Sequence, residues 1–200
     1  MRLEENLHGR YVHDRRSRIL SNHLANSIPN GFRVLDVGSG DGLLGKLISQ
    51  IRPDITINGI DVIVRPSTYI PTDKYDGTII PYVDGSFDGV ILVDVLHHTT
   101  DPMILLREAK RVARSTIVIK DHLADALFAR PTLRFMDRVG NARYGISLPY
   151  NYWPKEKWFG AFDTLGLKVG MWTTKLGLYP RPASWIFDRS LHFVTRLDMA

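Results

Sequence analysis

The sequence predicts one α/β domain built on a parallel sheet with crossover helices. Two observations carry that prediction. The stretch Val34-Leu35-Asp36-Val37-Gly38-Ser39-Gly40-Asp41-Gly42 joins a buried strand to a turn with glycine at every second position. Beyond it, strand-like runs alternate with helical ones, the pattern of βαβ units. At 200 residues the chain suits a single domain with a full core and a modest insertion.

The elements follow in order. Over residues 11–27, Ile19, Leu20 and Leu24, with Ile28 beyond, recur at helical spacing, and Arg15, Arg16 and Arg18 lie between them. Pro29-Asn30-Gly31 stops that helix. Strands are expected at 33–37, 55–60, 89–93 and 115–120. The helices between them are placed at 42–51, in a short element after 62, and at 101–112, the last opened by Asp101-Pro102 as N-cap and first residue. After Lys120 the rhythm changes. Residues 122–138 look helical despite Pro131, and 139–154 read as a loop rich in Gly, Asn, Tyr and Pro. A helix starts at Pro154 and ends near Gly166, and final strands are expected at 167–173 and 191–197. There is no internal repeat and no low-complexity tract.

Composition narrows the chemistry. The apolar fraction of 44% and charged fraction of 24% are ordinary for a globular protein. The absence of cysteine rules out disulfides, thiolate metal sites and a cysteine nucleophile. No window approaches the roughly 18 apolar residues of a membrane span, and Met-Arg-Leu-Glu-Glu-Asn is not a secretory signal, so the expected location is the cytoplasm. Net charge is +5, with +1 in residues 1–120 and +4 in 121–200. That bias suits an anionic substrate, a weak membrane association or simply a solvated face. No dense Lys/Arg run of the kind nucleic-acid binders show is present, so no nucleic-acid partner is expected.

The glycine turn feeds a helix whose free N–H groups suit a nucleotide. The dinucleotide pattern G-x-G-x-x-G is not met, because the spacing here is G-x-G-x-G. Asp36, inside the strand, makes little sense facing a pyrophosphate. It suits a ligand that carries a sulfonium and an ammonium but no phosphate. With these residues the segment resembles motif I of the class I S-adenosylmethionine-dependent methyltransferases. Further segments agree in order and spacing: Ile60-Asp61-Val62, then Tyr75-Asp76-Gly77 through Pro81 to Asp88, then Val90 to the Leu96-His97-His98 signature. They are similar to the small-molecule methyltransferases of the type 11, ubiquinone-biosynthesis-like branch. The resemblance covers residues 10–121.

What the resemblance implies is specific. The fold would be a Rossmann-like seven-stranded sheet, mostly parallel, with the last strand inserted antiparallel and helices on both faces. S-adenosylmethionine would be the cofactor and S-adenosylhomocysteine the product. The cofactor would lie on Asp36, Gly38, Ser39, Gly40 and Gly42, with Asp61 on the ribose hydroxyls and Val62 beside it. Asp76 and Gly77 would meet the adenine, although Tyr75 stands where the family has glycine. Asp94, at the end of the fourth strand, would line the methionine end.

The acceptor side is less defined. Asp121-His122 is expected after the fifth strand, at the carboxyl end facing the crevice, as a base pair, and His98 is a second candidate base. Methyl transfer needs mainly proximity, so a protein base is optional. No metal is expected, since the His and Asp residues lack close ligand spacing. Within one domain of core 10–121 and 155–200, residues 122–154 are expected to form a substrate lid. Its Tyr144, Tyr150, Asn151 and Trp153, with Asn141, Arg143 and Tyr152, suit an aromatic or amphipathic small molecule. Arg10, Tyr11 and Arg15 are expected to cap the cofactor. The Tyr179–Phe187 region, with Trp185, reads as core, as a dimer contact or as a membrane-facing surface, so the chain is a monomer or homodimer. The leading reading is methylation of an oxygen or carbon of a small molecule. RNA or protein methylation, or cofactor binding without catalysis, remain alternatives.

Overall fold

A computed structural model describes residues 2–141 and 149–199. The chain runs α1 (Arg2–Ser27), β1 (Arg33–Val37), α2 (Leu43–Ile51), β2 (Thr56–Asp61), β3 (Thr72–Lys74) and β4 (Phe87–Val93). A single 3-10 turn, Leu96–His98, then leads to α3 (Pro102–Val112) and β5 (Ala113–His122). The remainder is α4 (Ala129–Asn141), α5 (Lys155–Thr164), β6 (Leu167–Thr173), α6 (Ser184–Phe187) and β7 (His192–Met199). The seven strands form one sheet in the order β3-β2-β1-β4-β5-β7-β6. The first five are parallel, and β7 inserts antiparallel between β5 and β6. Among the described residues no helix is long and apolar enough to cross a membrane.

Strand alternation divides the core into two layers. Leu35, Val37, Val90, Leu92, Ile117 and Ile119 face α3 and α5, where they meet Leu105, Leu106, Trp158 and Phe162. Val34, Ile91 and Val118 face α1 and α2, where they meet Leu20, Leu24 and Ile48. The last turn of α1 is held by Arg52, whose Nη1 donates to Ala25 O and Ile28 O, both at 2.9 Å. Asp101 caps α3 by accepting from the Met103 N–H at 2.9 Å, with Pro102 at the first helical position as the sequence suggests.

Three elements differ from the sequence expectation. The segment after Asp61 holds no helix. It is a loop carrying Pro66 and Pro71 that ends in the short edge strand β3, and Pro71 O accepts the Gly59 N–H at 2.8 Å. The fifth strand continues through Asp121 and His122, because β7 pairs with both, Asp121 opposite Phe193 and His122 opposite His192. The helix expected from 122 starts only at Ala129. Before it, the Leu123 and Ala124 N–H groups are bound to Leu191 O and Trp153 O. Pro131 then falls in the first turn of α4, where its missing N–H costs nothing.

Candidate functional site

In chain order the sheet grows outward from β1 to β3 and then returns to the other side of β1 at β4. This reversal opens a crevice at the carboxyl ends of β1 and β4, where α/β sheets bind ligands. The crevice holds a cavity of about 720 Å³, within the range of small-molecule sites. Gly38, Gly40, Asp61, Val62, Gly77, Asp94, Val95 and His98 are in its wall, with Ile63, Ile104 and Leu105 adding an apolar surface.

The glycine turn is needed for contact as well as for φ. Gly38 has φ +75° and an added Cβ there would come 2.4 Å from Val95 Cγ2, so glycine lets the β1 turn close on the β4 end. Gly40 has φ +61°, and a Cβ there would meet only Arg65 Nη2 at 3.6 Å, leaving bare backbone toward the cavity. The other turn residues lie off the wall. Gly42 packs against Ile70, and Ser39 sits over Gly59.

Asp61 ends β2 and faces the cavity. Its two oxygens accept from the Gly40 N–H at 2.8 Å and the Ile63 N–H at 2.9 Å, which orients the carboxylate and leaves lone pairs for hydroxyl groups. Asp36 is buried on the α1–α2 side of β1 and is not part of the cavity wall. Burial, helped by the neighbouring Asp61 charge, pushes its carboxyl up to about 7. Asp76 is exposed, and its Oδ1 accepts from the Thr78 N–H, the Thr78 hydroxyl and the Ile79 N–H at 2.7–2.8 Å. Those bonds lower its pKa and build a turn that brings Gly77 and Thr78 to the cavity.

Beyond Asp94 the wall becomes a buried ionic cluster that sequence reasoning did not foresee. Asp94 has φ +56°, a conformation non-glycine residues seldom adopt. Its carboxylate bonds the Lys120 ammonium on one oxygen and Arg16 Nη2 on the other, the latter at 2.8 Å. Lys120 is fully buried. His97 Nδ1 meets Asp121 Oδ1 at 2.7 Å, and His97 Nε2 lies 3.4 Å from Asp137 Oδ2. Burial alone would lower His97, but Asp121 and then Asp137 outweigh it and hold the ring up to about 10. His122 Nδ1 is 3.0 Å from His192 Nδ1, and its Nε2 is 3.5 Å from Asp94 and 3.7 Å from Asp137. The Tyr152 hydroxyl donates to Asp137. The end of β5 and the middle of α4 therefore meet here through Asp121, His122 and Asp137. The one available signal was Lys120, a charge closing an apolar run in a strand covered on both faces.

The acceptor-side expectations come out unevenly. His98 lines the cavity, and burial together with the charge of His97 lowers it to about 4, so its ring is neutral. Among the described residues its buried Nδ1 has no hydrogen-bond partner. Asp121 and His122 are inside β5 and absent from the cavity wall; Asp121 is joined to His97 through its side chain. Trp153 is a core residue tilted against Trp158, its Nε1 donating to Asn151 Oδ1. Asn151 is pinned to the loop before α3 by bonds from its N–H to His97 O and from Nδ2 to Thr99 O and Thr100 O. Tyr150 has φ +53° and is half-buried beside Tyr152. Arg143 and Tyr144 lie outside the described residues, as do the side chains of Arg10, Tyr11 and Asn141. Arg15 reaches Gly177 O at 3.4 Å and does not line the cavity. Tyr179 packs on the core, whereas Trp185 is exposed.

Residues 11–170 match the family model described as a methyltransferase domain. A curated relative, the 27-O-demethylrifamycin SV methyltransferase of Amycolatopsis mediterranei, is 29% identical over 131 residues, 55% of this chain and 48% of the relative. A ribosomal RNA small subunit methyltransferase G from Leptothrix cholodnii is 45% identical over 49 residues, 24% of this chain and 22% of the relative. The chain thus spans half or less of the curated relatives it matches. A methyltransferase solved with the Haloferax volcanii Trm112 activator shares the fold, with a TM-score of 0.69 and 17% identity over 94% of this chain and 92% of that one. With its glycine cradle, its strand-end carboxylate and this match over most of its length, the chain belongs to the methyltransferase-domain family, with the class I fold, a family whose cofactor is S-adenosylmethionine.

Proposed function

We propose that the chain transfers a methyl group to an oxygen or carbon of a small molecule. The observation that carries this reading is one cavity running from the glycine turn and Asp61 at one end to Asp94 and His98 at the other. When bound, the cofactor supplies an activated methyl group on a sulfonium. Asp61 would hold the ribose hydroxyls, Gly40 and Gly77 would offer backbone, and Asp94 would attract the cationic end. His98, neutral and facing the cavity, would receive the proton of an acceptor hydroxyl. The relative named as a 27-O-demethylrifamycin SV methyltransferase acts at an oxygen by its name, which favours an oxygen acceptor here.

The test is release of S-adenosylhomocysteine from S-adenosylmethionine in the presence of phenolic, enolic and hydroxylated small molecules, with ribosomal RNA as a parallel arm. Turnover with a small molecule is expected, and His98→Gln should lower kcat by about 10²–10⁴. Turnover on RNA alone would overturn the reading.

A further inference from the structure

Away from the cavity, α4 and α6 carry more apolar surface than their packing uses. Leu127, Phe128, Phe135, Val139, Trp185 and Ile186 are all large and apolar, yet they are between 53% and 76% exposed. One exposed leucine needs no account, but a gathered set marks a contact site. Here contacts do the gathering. Arg189 donates from Nε to Ile186 O at 2.9 Å, from Nη1 to Leu127 O at 3.3 Å and from Nη2 to Thr132 Oγ1 at 3.2 Å. One guanidinium thus holds α6 against the start of α4. The Phe187 ring stacks on that of Phe135, with centroids 6.5 Å apart and planes 11° from parallel.

Along α4 the sequence separates three rows. Ala129, Leu133 and Asp137 recur every four residues and are buried. Phe135 and Val139 lie one turn apart on an exposed line, which Phe128, seven residues before Phe135, extends toward the amino end. Arg130, Arg134 and Arg138 make a third row, again every four residues and exposed throughout. Arg181 and Arg189, also exposed, flank α6. Among the described residues no ion pair joins any of these five arginines to a carboxylate. Of the acids nearby in sequence, Asp137 is buried and Asp188 is half-buried with an oxygen on the Tyr179 N–H, which leaves Asp125 as the exposed one. Phe128 adds a separate observation. Its φ of +59° is one that a bulky residue keeps only where its surroundings hold it. Bonds from the Thr132 N–H and hydroxyl to Phe128 O, at 3.2 and 2.8 Å, do so, and the ring is left in solvent.

We infer that the α4–α6 face is a docking surface for a bilayer containing anionic phospholipid. A helix lying in the membrane interface sinks its apolar line below the headgroups, while arginines on its flank reach the phosphates. Tryptophan suits that depth. Charge decides between occupants. A second copy docked about a two-fold axis would bring the same arginine rows together, and like charges repel. An anionic lipid surface meets them with the opposite charge. The aliphatic Leu127, Val139 and Ile186 offer no ring on which a nucleic-acid base could stack. The inference does not rest on methyl transfer.

The experiment is flotation of the full chain with vesicles of equal parts phosphatidylglycerol and phosphatidylcholine, and with vesicles of phosphatidylcholine alone, at low and high salt. Binding to the anionic vesicles is expected, weaker at high salt and much weaker on the neutral ones, with a blue shift of tryptophan emission. Replacing Arg130 and Arg138 together by Gln should weaken partitioning by about 20–30-fold, roughly fivefold for each arginine. Trp185→Ala should weaken it by about tenfold and remove the blue shift. Val83→Ser, in the loop before β4 and just as exposed, should change nothing. All the substituted side chains are exposed, so the variants should keep the wild-type circular dichroism. No flotation with anionic vesicles at low salt, equal flotation with neutral ones, or flotation unchanged in the arginine and Trp185 variants would overturn the site. A dimer that Trp185→Ala dissolves, without vesicle binding, would also overturn it. No readout uses cofactor or acceptor, so failure here is separate from failure of the methylation reading.

Discussion

On the β1–β2 side of the crevice, peptide N–H groups and one strand-end carboxylate, all between residues 38 and 63, shape the cavity. On the β4–β5 side the work falls to side chains drawn from residues 16 to 192, packed into a cluster in which Lys120, His97, Asp121, His122 and His192 are buried and Arg16 and Asp94 are partly exposed. The first side is held by local backbone geometry and stays open to a ligand. The second is held by long-range ion pairs and hydrogen bonds, each depending on the others. The two sides should therefore fail differently when single residues are changed.

The largest effect is expected in the cluster. Replacing Lys120 by Met leaves the Asp94 carboxylate without its buried partner, and removing one member of a buried pair costs roughly 3–5 kcal/mol. Urea denaturation should show that loss, and a stability within experimental error of wild type would mean that the cluster is not coupled. A smaller effect is expected at the turn. Gly38→Ala combines left-handed strain of about 1–2 kcal/mol with a Cβ pressed against Val95. Gly31 has a similar φ of +70° but nothing within 4 Å, so Gly31→Ala should cost the strain alone. Equal losses in these two variants would show that the closeness of the turn to Val95 carries no weight.

This contrast also explains what could be read in advance. Gly38, Gly40 and Asp61 were legible because a strand, a turn with positive φ and a strand-end acid must follow one another closely in sequence. The antiparallel insertion of β7 was legible through the family resemblance. The cluster was not, because Arg16, Asp94, Lys120, Asp137 and His192 are brought together only by the closed sheet and by α4. Asp121 and His122 were read as crevice residues for the same reason. Without sight of β7 pairing with them, β5 seemed to end at Lys120. Trp153 was read as a substrate contact, although an aromatic residue in a loop packs into a core as readily as it faces a ligand.

Asp36, on the β1–β2 side, makes stability depend on pH. Its carboxyl is raised from 3.8 to about 7 by burial and by Asp61. A group raised in this way contributes stability that is fully present below its unfolded value and lost as pH rises through about 7. The urea midpoint of the wild type should therefore fall from about pH 5 to about pH 8 more than that of Asp36→Asn, which cannot ionise. Parallel profiles would mean that Asp36 is not desolvated as the structure places it.

The central claim is that this crevice holds S-adenosylmethionine through the glycine turn and Asp61. Calorimetric titration of the wild type and of Asp61→Ala with S-adenosylhomocysteine tests it most directly. One equivalent should bind the wild type, and loss of a charged hydrogen-bond acceptor worth about 1.5–3 kcal/mol should weaken the variant by about 10–100-fold. No binding to the wild type at millimolar ligand, or equal affinity in the two proteins, would contradict the account.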